Sequence, residues 1–195
     1  MDTATHTLAN RIALIVCLAM AALAFGSLAP VAAARPMLIT GATAAEERTV
    51  DWAMRRFRVG GLEGLPPLEV VLHGSRTPCD GYLGLYLAGR IDLCTEGLLV
   101  PYARKFALHE MAHAWTDANL PDEVLDRFLR IRGIATWNDQ RLPWEERGAE
   151  QAAEIITWGL GEGEIAPRLP HPTGDRELAG LFELLTSSEP ITPSV

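Results

Sequence analysis

The sequence predicts an α+β fold, and three observations carry that reading. Short strand-like runs come first, between residues 68 and 94, and long helical periods follow from residue 102. Strands and helices are therefore segregated and do not alternate as βαβ units would. The chain of 195 residues is long enough for one domain with a core and too short for two comfortable ones. The expected architecture is a small N-terminal hairpin or sheet with a mainly helical remainder, spanning residues 35–186, and a flexible tail over 187–195.

Residues 1–34 read as a signal peptide. A polar stretch ends at Arg11, Ile12 to Leu28 is almost wholly apolar, and a small-residue Ala-x-Ala exit follows up to Ala34. An uncleaved anchor formed by residues 12–34 is the alternative, since the apolar run approaches the ~20 residues of a membrane span. Either way the domain is expected to be secreted or extracytoplasmic. Cys17 lies inside the apolar run and reads as filler that leaves with it.

In the remaining chain Thr43-Ala44-Ala45-Glu46 has the form of a capping box. An amphipathic helix follows to Phe57 and stops at Gly60-Gly61. Leu68–Leu72 reads as a strand after Pro66-Pro67. Tyr82–Leu87 and Ile91–Cys94 read as two strands around an Ala88-Gly89-Arg90 turn. Four helices are expected after that, over Tyr102–Asp117, Pro121–Arg132, Pro143–Trp158 and, more weakly, Arg176–Leu185.

Cys79 and Cys94 are the two cysteines left after the signal. In an exported chain such a pair reads as a disulfide, placed here near the open end of the hairpin. Closing so short a loop stabilises by roughly 3 kcal/mol. The formal net charge of −8, with no basic stripe, argues against nucleic acid as a partner.

The residues that carry chemistry are His109-Glu110-Met111-Ala112-His113. On a helix, positions four apart project from one face about a turn apart, so both imidazoles can reach one ion. Glu110 lies about 100° round from His109 and is better placed beside a water on that ion than among its ligands. This spacing is that of two zinc ligands and a general base. A catalytic zinc keeps one position open for water and lowers that water's pKa towards ~7.

A third ligand is needed, and the helix over Pro143–Trp158 offers Glu146, Glu150 and Glu154. Here the sequence resembles the gluzincin branch of the zincin metallopeptidases. In that family a downstream helix supplies a glutamate, and an acidic residue four positions later orients a ligand histidine. Glu146-Arg147-Gly148-Ala149-Glu150 looks like that pattern. Ala149 and Ala153 resemble the small residues that let the two helices approach. The spacing also permits Glu150 as ligand with Glu154 behind it. On a helical wheel whose apolar face is Ala149, Ala153, Ile156 and Leu160, Glu146 lies about 50° from the centre of that face and Glu150 about 90°, so Glu146 is preferred. The resemblance runs over roughly residues 91–159. It implies an exported zinc peptidase in which the strand Ile91-Asp92-Leu93 is the sheet edge that aligns an extended peptide. A catalytically silent module binding a partner, or a structural zinc domain, is the alternative. An intact Glu110 weighs against both, because a structural site needs no base beside its water position.

Other residues read more plainly. His73 and His171 are loop histidines. Tyr82, Tyr86 and Tyr102 are candidates to stabilise an oxyanion, with none selected. Trp115, Trp137, Trp144 and Trp158 are expected in the core or at its rim.

Overall fold

A computed structural model describes residues 37–95, 97–161 and 165–191. The expected signal segment and the last four residues of the tail lie outside the described residues. No described helix is long and apolar enough to cross a membrane. The described chain is α+β, with a four-stranded sheet and five α-helices among the described residues.

The elements run β1 (Leu38–Thr40), α1 (Ala44–Val59), β2 (Glu69–Leu72), β3 (Gly84–Leu87), β4 (Arg90–Leu93), α2 (Val100–Asn119), α3 (Asp122–Arg132), α4 (Gly148–Leu160) and α5 (Asp175–Thr186). The sheet order is β1-β2-β4-β3. β1, β2 and β4 are parallel, and β3 closes the sheet antiparallel to β4. β1 was not legible: three residues carry too little alternation to register as a strand.

The capping box is present, with the Glu46 N–H donating to Thr43 Oγ1 and the Thr43 N–H donating to Glu46 Oε2 at 2.8 Å. The β3–β4 hairpin turns on two residues, Ala88 and Gly89, both with positive φ (46° and 87°). That matches the twist of the flanking strands and explains glycine at the second position. Cys79 and Cys94 form the expected disulfide, with Cα atoms 6.3 Å apart. It sits at the open end of the hairpin, where the Cys94 N–H also bonds the Leu83 carbonyl.

One sheet face carries Val70, Leu72, Ile91 and Leu93 into the core, where they meet Phe57 of α1 and Leu108, Met111 and Ala112 of α2. α2 packs in turn on α4, whose residues are all buried except Glu150. α5 covers α4, with Phe182 fully buried. The stretch expected as a flexible tail begins with held residues: the Ile191 N–H bonds the Gly159 carbonyl and its side chain packs on the core.

Two expectations require correction. β4 does not form a sheet edge, because it is paired on both sides; the edge strands are β1 and β3, and β3 is the one beyond β4. α4 begins at Gly148 and not at Pro143. Trp144–Glu146 form a separate 3₁₀ turn, and Arg147 is extended (φ −86°, ψ 134°). The break is fixed from outside the segment. The N–H groups of Gly148 and Ala149 bond the carbonyls of Thr136 and Trp137, and the Arg147 guanidinium bonds the Leu142 and Gln140 carbonyls.

Candidate metal centre

α2 and α4 are the most completely buried helices of the fold, yet each turns charged side chains toward the other. His109 and Glu110 are 5% exposed and Glu154 is 2% exposed. Burying such groups is costly unless they are paired or hold a cation, so their convergence asks for a reason.

His109 Nε2, His113 Nε2 and Glu150 Oε2 meet at one point. The three separations are 3.1, 3.1 and 3.2 Å. A tetrahedral ion bound at ~2.0–2.1 Å holds its ligand atoms ~3.3 Å apart, so the triangle fits one such ion with a position left over on its open side. Two imidazoles and one carboxylate are a donor set that suits zinc. Among the described residues this is the one cluster of three or more His, Cys, Asp or Glu side chains able to share a metal ion.

Glu146 is not part of it. It is exposed at the end of the 3₁₀ turn, separated from α4 only by the extended Arg147. The helical wheel that favoured it assumed a helix continuous from Pro143. With the chain extended at Arg147 that phase relation is lost, and Glu150 is the glutamate brought to the histidines.

Glu154 lies behind the cluster. Its Oε1 is 3.4 Å from His109 Nδ1, a buried nitrogen that makes no hydrogen bond among the described residues. Its Oε2 is 2.9 Å from Lys105 Nζ and accepts the Arg168 N–H at 2.7 Å. Lys105, itself buried, also donates to the Ala166 carbonyl at 3.3 Å. A carboxylate behind a ligand histidine fixes which ring nitrogen carries the proton and turns the other toward the ion.

The electrostatics point the same way. Burial disfavours charge on His109, but Glu150 and Glu154 outweigh it and its pKa is pushed up to about 10. Burial alone would raise Glu150, yet His109 and His113 hold it well below the usual carboxylate range. Glu154 is likewise lowered: burial opposes the charge, but His109, Lys105 and the Arg168 N–H together outweigh it. Positive charge is favoured where the three atoms meet. Glu110 behaves differently, for burial is its largest influence and raises its pKa, with His109 and His113 opposing in part.

The triangle opens into a cleft of about 250 Å³. β3 forms one wall, with Tyr82, Gly84, Tyr86 and Leu87. The segment through Asn138, Gln140 and Trp144 forms the other. Trp144, expected only as core or rim, stacks on His109 with ring centroids 5.8 Å apart and carries the Arg168 guanidinium 4.9 Å from its own centroid. Burial raises the Tyr86 hydroxyl above its ordinary pKa, and the Asp117 carboxylate adds to that shift. Tyr102 is exposed outside this cleft. His73 does not join the site; it pairs with Asp92 at 2.6 Å, and Arg90 flanks the same carboxylate. Lys105 and Gly84 are the residues that sequence reasoning passed over. Of these Lys105 left a signal, since it precedes His109 by four positions on the same helix face. No family model, no curated protein and no solved structure matches this chain.

Proposed function

We propose that this chain is an exported zinc-dependent peptidase with a zincin-like catalytic core. In this reading His109, His113 and Glu150 hold the ion and Glu110 is the general base. The observation that carries the reading is the meeting of three ligand atoms within 3.1–3.2 Å on two otherwise buried helices, with a buried carboxylate next in sequence to one of them.

When bound at such a site, zinc supplies a water acidified towards neutral pH and a Lewis acid for the scissile carbonyl. The protein's own groups do the rest. Glu110 takes a proton from the attacking water and delivers it to the departing nitrogen, so that the C–N bond breaks to a carboxylate and an amine. Burial raises the pKa of Glu110, which makes it a stronger base than an exposed carboxylate. Glu154 holds His109 in the tautomer that presents Nε2 to the ion.

The Glu150–Glu154 spacing supports the gluzincin resemblance, moved one helical turn along from the pair first preferred. The free edge of β3, bordered by the exposed Tyr82 and Leu87, suits an extended peptide bound through backbone pairing. The Cys79–Cys94 disulfide suits an oxidising compartment outside the cytoplasm.

The test is hydrolysis of a mixed peptide library by the zinc-loaded domain and by Glu110→Gln. The variant keeps its zinc and loses about 10²–10⁴-fold in kcat. A wild type that cleaves nothing, or a Glu110→Gln variant as active as wild type, would overturn the reading.

A further inference from the structure

Gly84 sits in the middle of the site wall with an ordinary strand backbone, so its conformation does not call for glycine. Glycine inside a strand weakens it, and a close approach by another group is the usual reason to find one there. Here the approaching group is Glu110. A Cβ built on Gly84 would lie 2.6 Å from Glu110 Cγ and 2.7 Å from Cδ, and on top of Oε1. The space a side chain would fill is occupied by the carboxylate of the helix below.

The strand register shows which backbone groups of β3 are left unpaired. Leu87 and Arg90 flank the two-residue turn, and the Cys94 N–H bonds the Leu83 carbonyl. Odd-numbered residues of β3 therefore face β4 with their N–H and C=O groups, while Gly84 and Tyr86 turn theirs to the free edge. From that edge the Tyr86 backbone favours the charged form of Glu110, against the larger effect of burial.

We infer that β3 holds the general base in place, with Gly84 a positioning residue whose missing side chain sets where the Glu110 carboxylate can sit. The edge strand then does two things: one stretch of backbone borders the substrate and fixes the base against it. This rests on the reading of Glu110 as base, but the contact itself is testable without activity. A Cβ at position 84 meets the end of a side chain and not backbone, so Gly84→Ala displaces Glu110 and leaves the fold intact.

Two experiments decide it. The first is a stability cycle on the metal-free domain. Gly84→Ala lowers Tm in the wild-type background, where the Cβ meets the carboxylate. It raises Tm in the Glu110→Ala background, where only the gain of alanine over glycine in a strand remains. A Tm change of the same sign and size in both backgrounds overturns the contact, whether or not the protein is a peptidase. The second is kinetic. Gly84→Ala lowers kcat about 10²-fold, as misplacement of a reacting group by about 1 Å can, with KM within about 2-fold and one zinc retained. Glu110→Asp, shorter by one methylene, recovers part of that loss in the Gly84→Ala background while lowering kcat in the wild type. Full kcat in Gly84→Ala, or strictly additive losses in the double variant, overturns the positioning role. A wild type without peptidase activity counts against the functional reading alone.

Discussion

His109 and Glu150 lie 41 positions apart on two different helices, yet His109 Nε2 and Glu150 Oε2 are 3.1 Å apart. The other nitrogen of the same ring faces Glu154 at 3.4 Å. One imidazole is thus held between two carboxylates from one face of α4, one turn apart, and each has a different task. In the proposed centre Glu150 would share the ion and Glu154 would set the ring.

That division predicts the effect of Glu154→Gln. The amide keeps the shape but loses the charge that fixes the His109 tautomer. Zinc affinity should fall about 10–100-fold, with the helix content unchanged. Competition against a chelator of known affinity measures it, and an unchanged affinity would remove Glu154 from the centre.

The pH dependence of the metal-free domain follows from the shifted groups. His109 is raised from 6.5 to about 10, so its contribution to stability is complete below pH 6.5 and is lost as pH rises through about 10. Glu110, raised by burial, pushes the same way. Glu154 is lowered from 4.5, so its contribution is complete above pH 4.5 and is lost as pH falls through its folded value. Stability in excess chelator should therefore peak between pH 4.5 and 6.5 and decline above it. Zinc competes with the His109 proton, so its affinity should rise over that upper range with release of a proton. Thermal melts against pH, and calorimetry in buffers of different ionisation enthalpy, check both. A Tm that climbs steadily from pH 6.5 to 10 without metal would contradict the assignment.

Lys105 is expected to matter more for stability than its place outside the metal ligands suggests. It is buried against Glu154 at 2.9 Å. Lys105→Met leaves that carboxylate short of a partner, and removing one member of a buried pair costs about 3–5 kcal/mol. Lys105→Met combined with Glu154→Leu should cost less than the sum of the two single changes. Urea unfolding of the four proteins measures the coupling, and additivity would show that the pair does not act as one.

The disulfide encloses the hairpin that walls the cleft. Replacing Cys79 and Cys94 with serine should lower stability by roughly 3 kcal/mol on the chain-entropy view. It should also loosen β3, seen as faster amide exchange at Leu85 and Leu87, whose N–H groups face β4. Exchange unchanged in the serine variant would mean that sheet pairing alone holds the edge.

What could be read from the sequence was local. The His109–His113 spacing is fixed by the helix repeat, and the capping box at Thr43, the Ala88-Gly89 turn and the cysteine pair are all short-range signals. Which glutamate meets the two histidines was not legible. Choosing between Glu146 and Glu150 depends on where α4 starts, and that start is set by hydrogen bonds from Gly148 and Ala149 to Thr136 and Trp137. Sheet order was hidden for a similar reason. Nothing local in Ile91–Leu93 says that it pairs on both sides and leaves the edge on that side to β3. The glycine at 84 looked unremarkable until the Glu110 carboxylate was found in its side-chain space.

The most direct test is bound-metal stoichiometry on the purified domain, compared with His109→Ala, Glu146→Ala and Glu150→Ala after zinc reconstitution near neutral pH. One zinc per chain is expected in the wild type and in Glu146→Ala, and none in His109→Ala or Glu150→Ala. A wild type that takes up no zinc, or a Glu146→Ala variant that loses it while Glu150→Ala keeps it, would contradict a metal centre built from His109, His113 and Glu150.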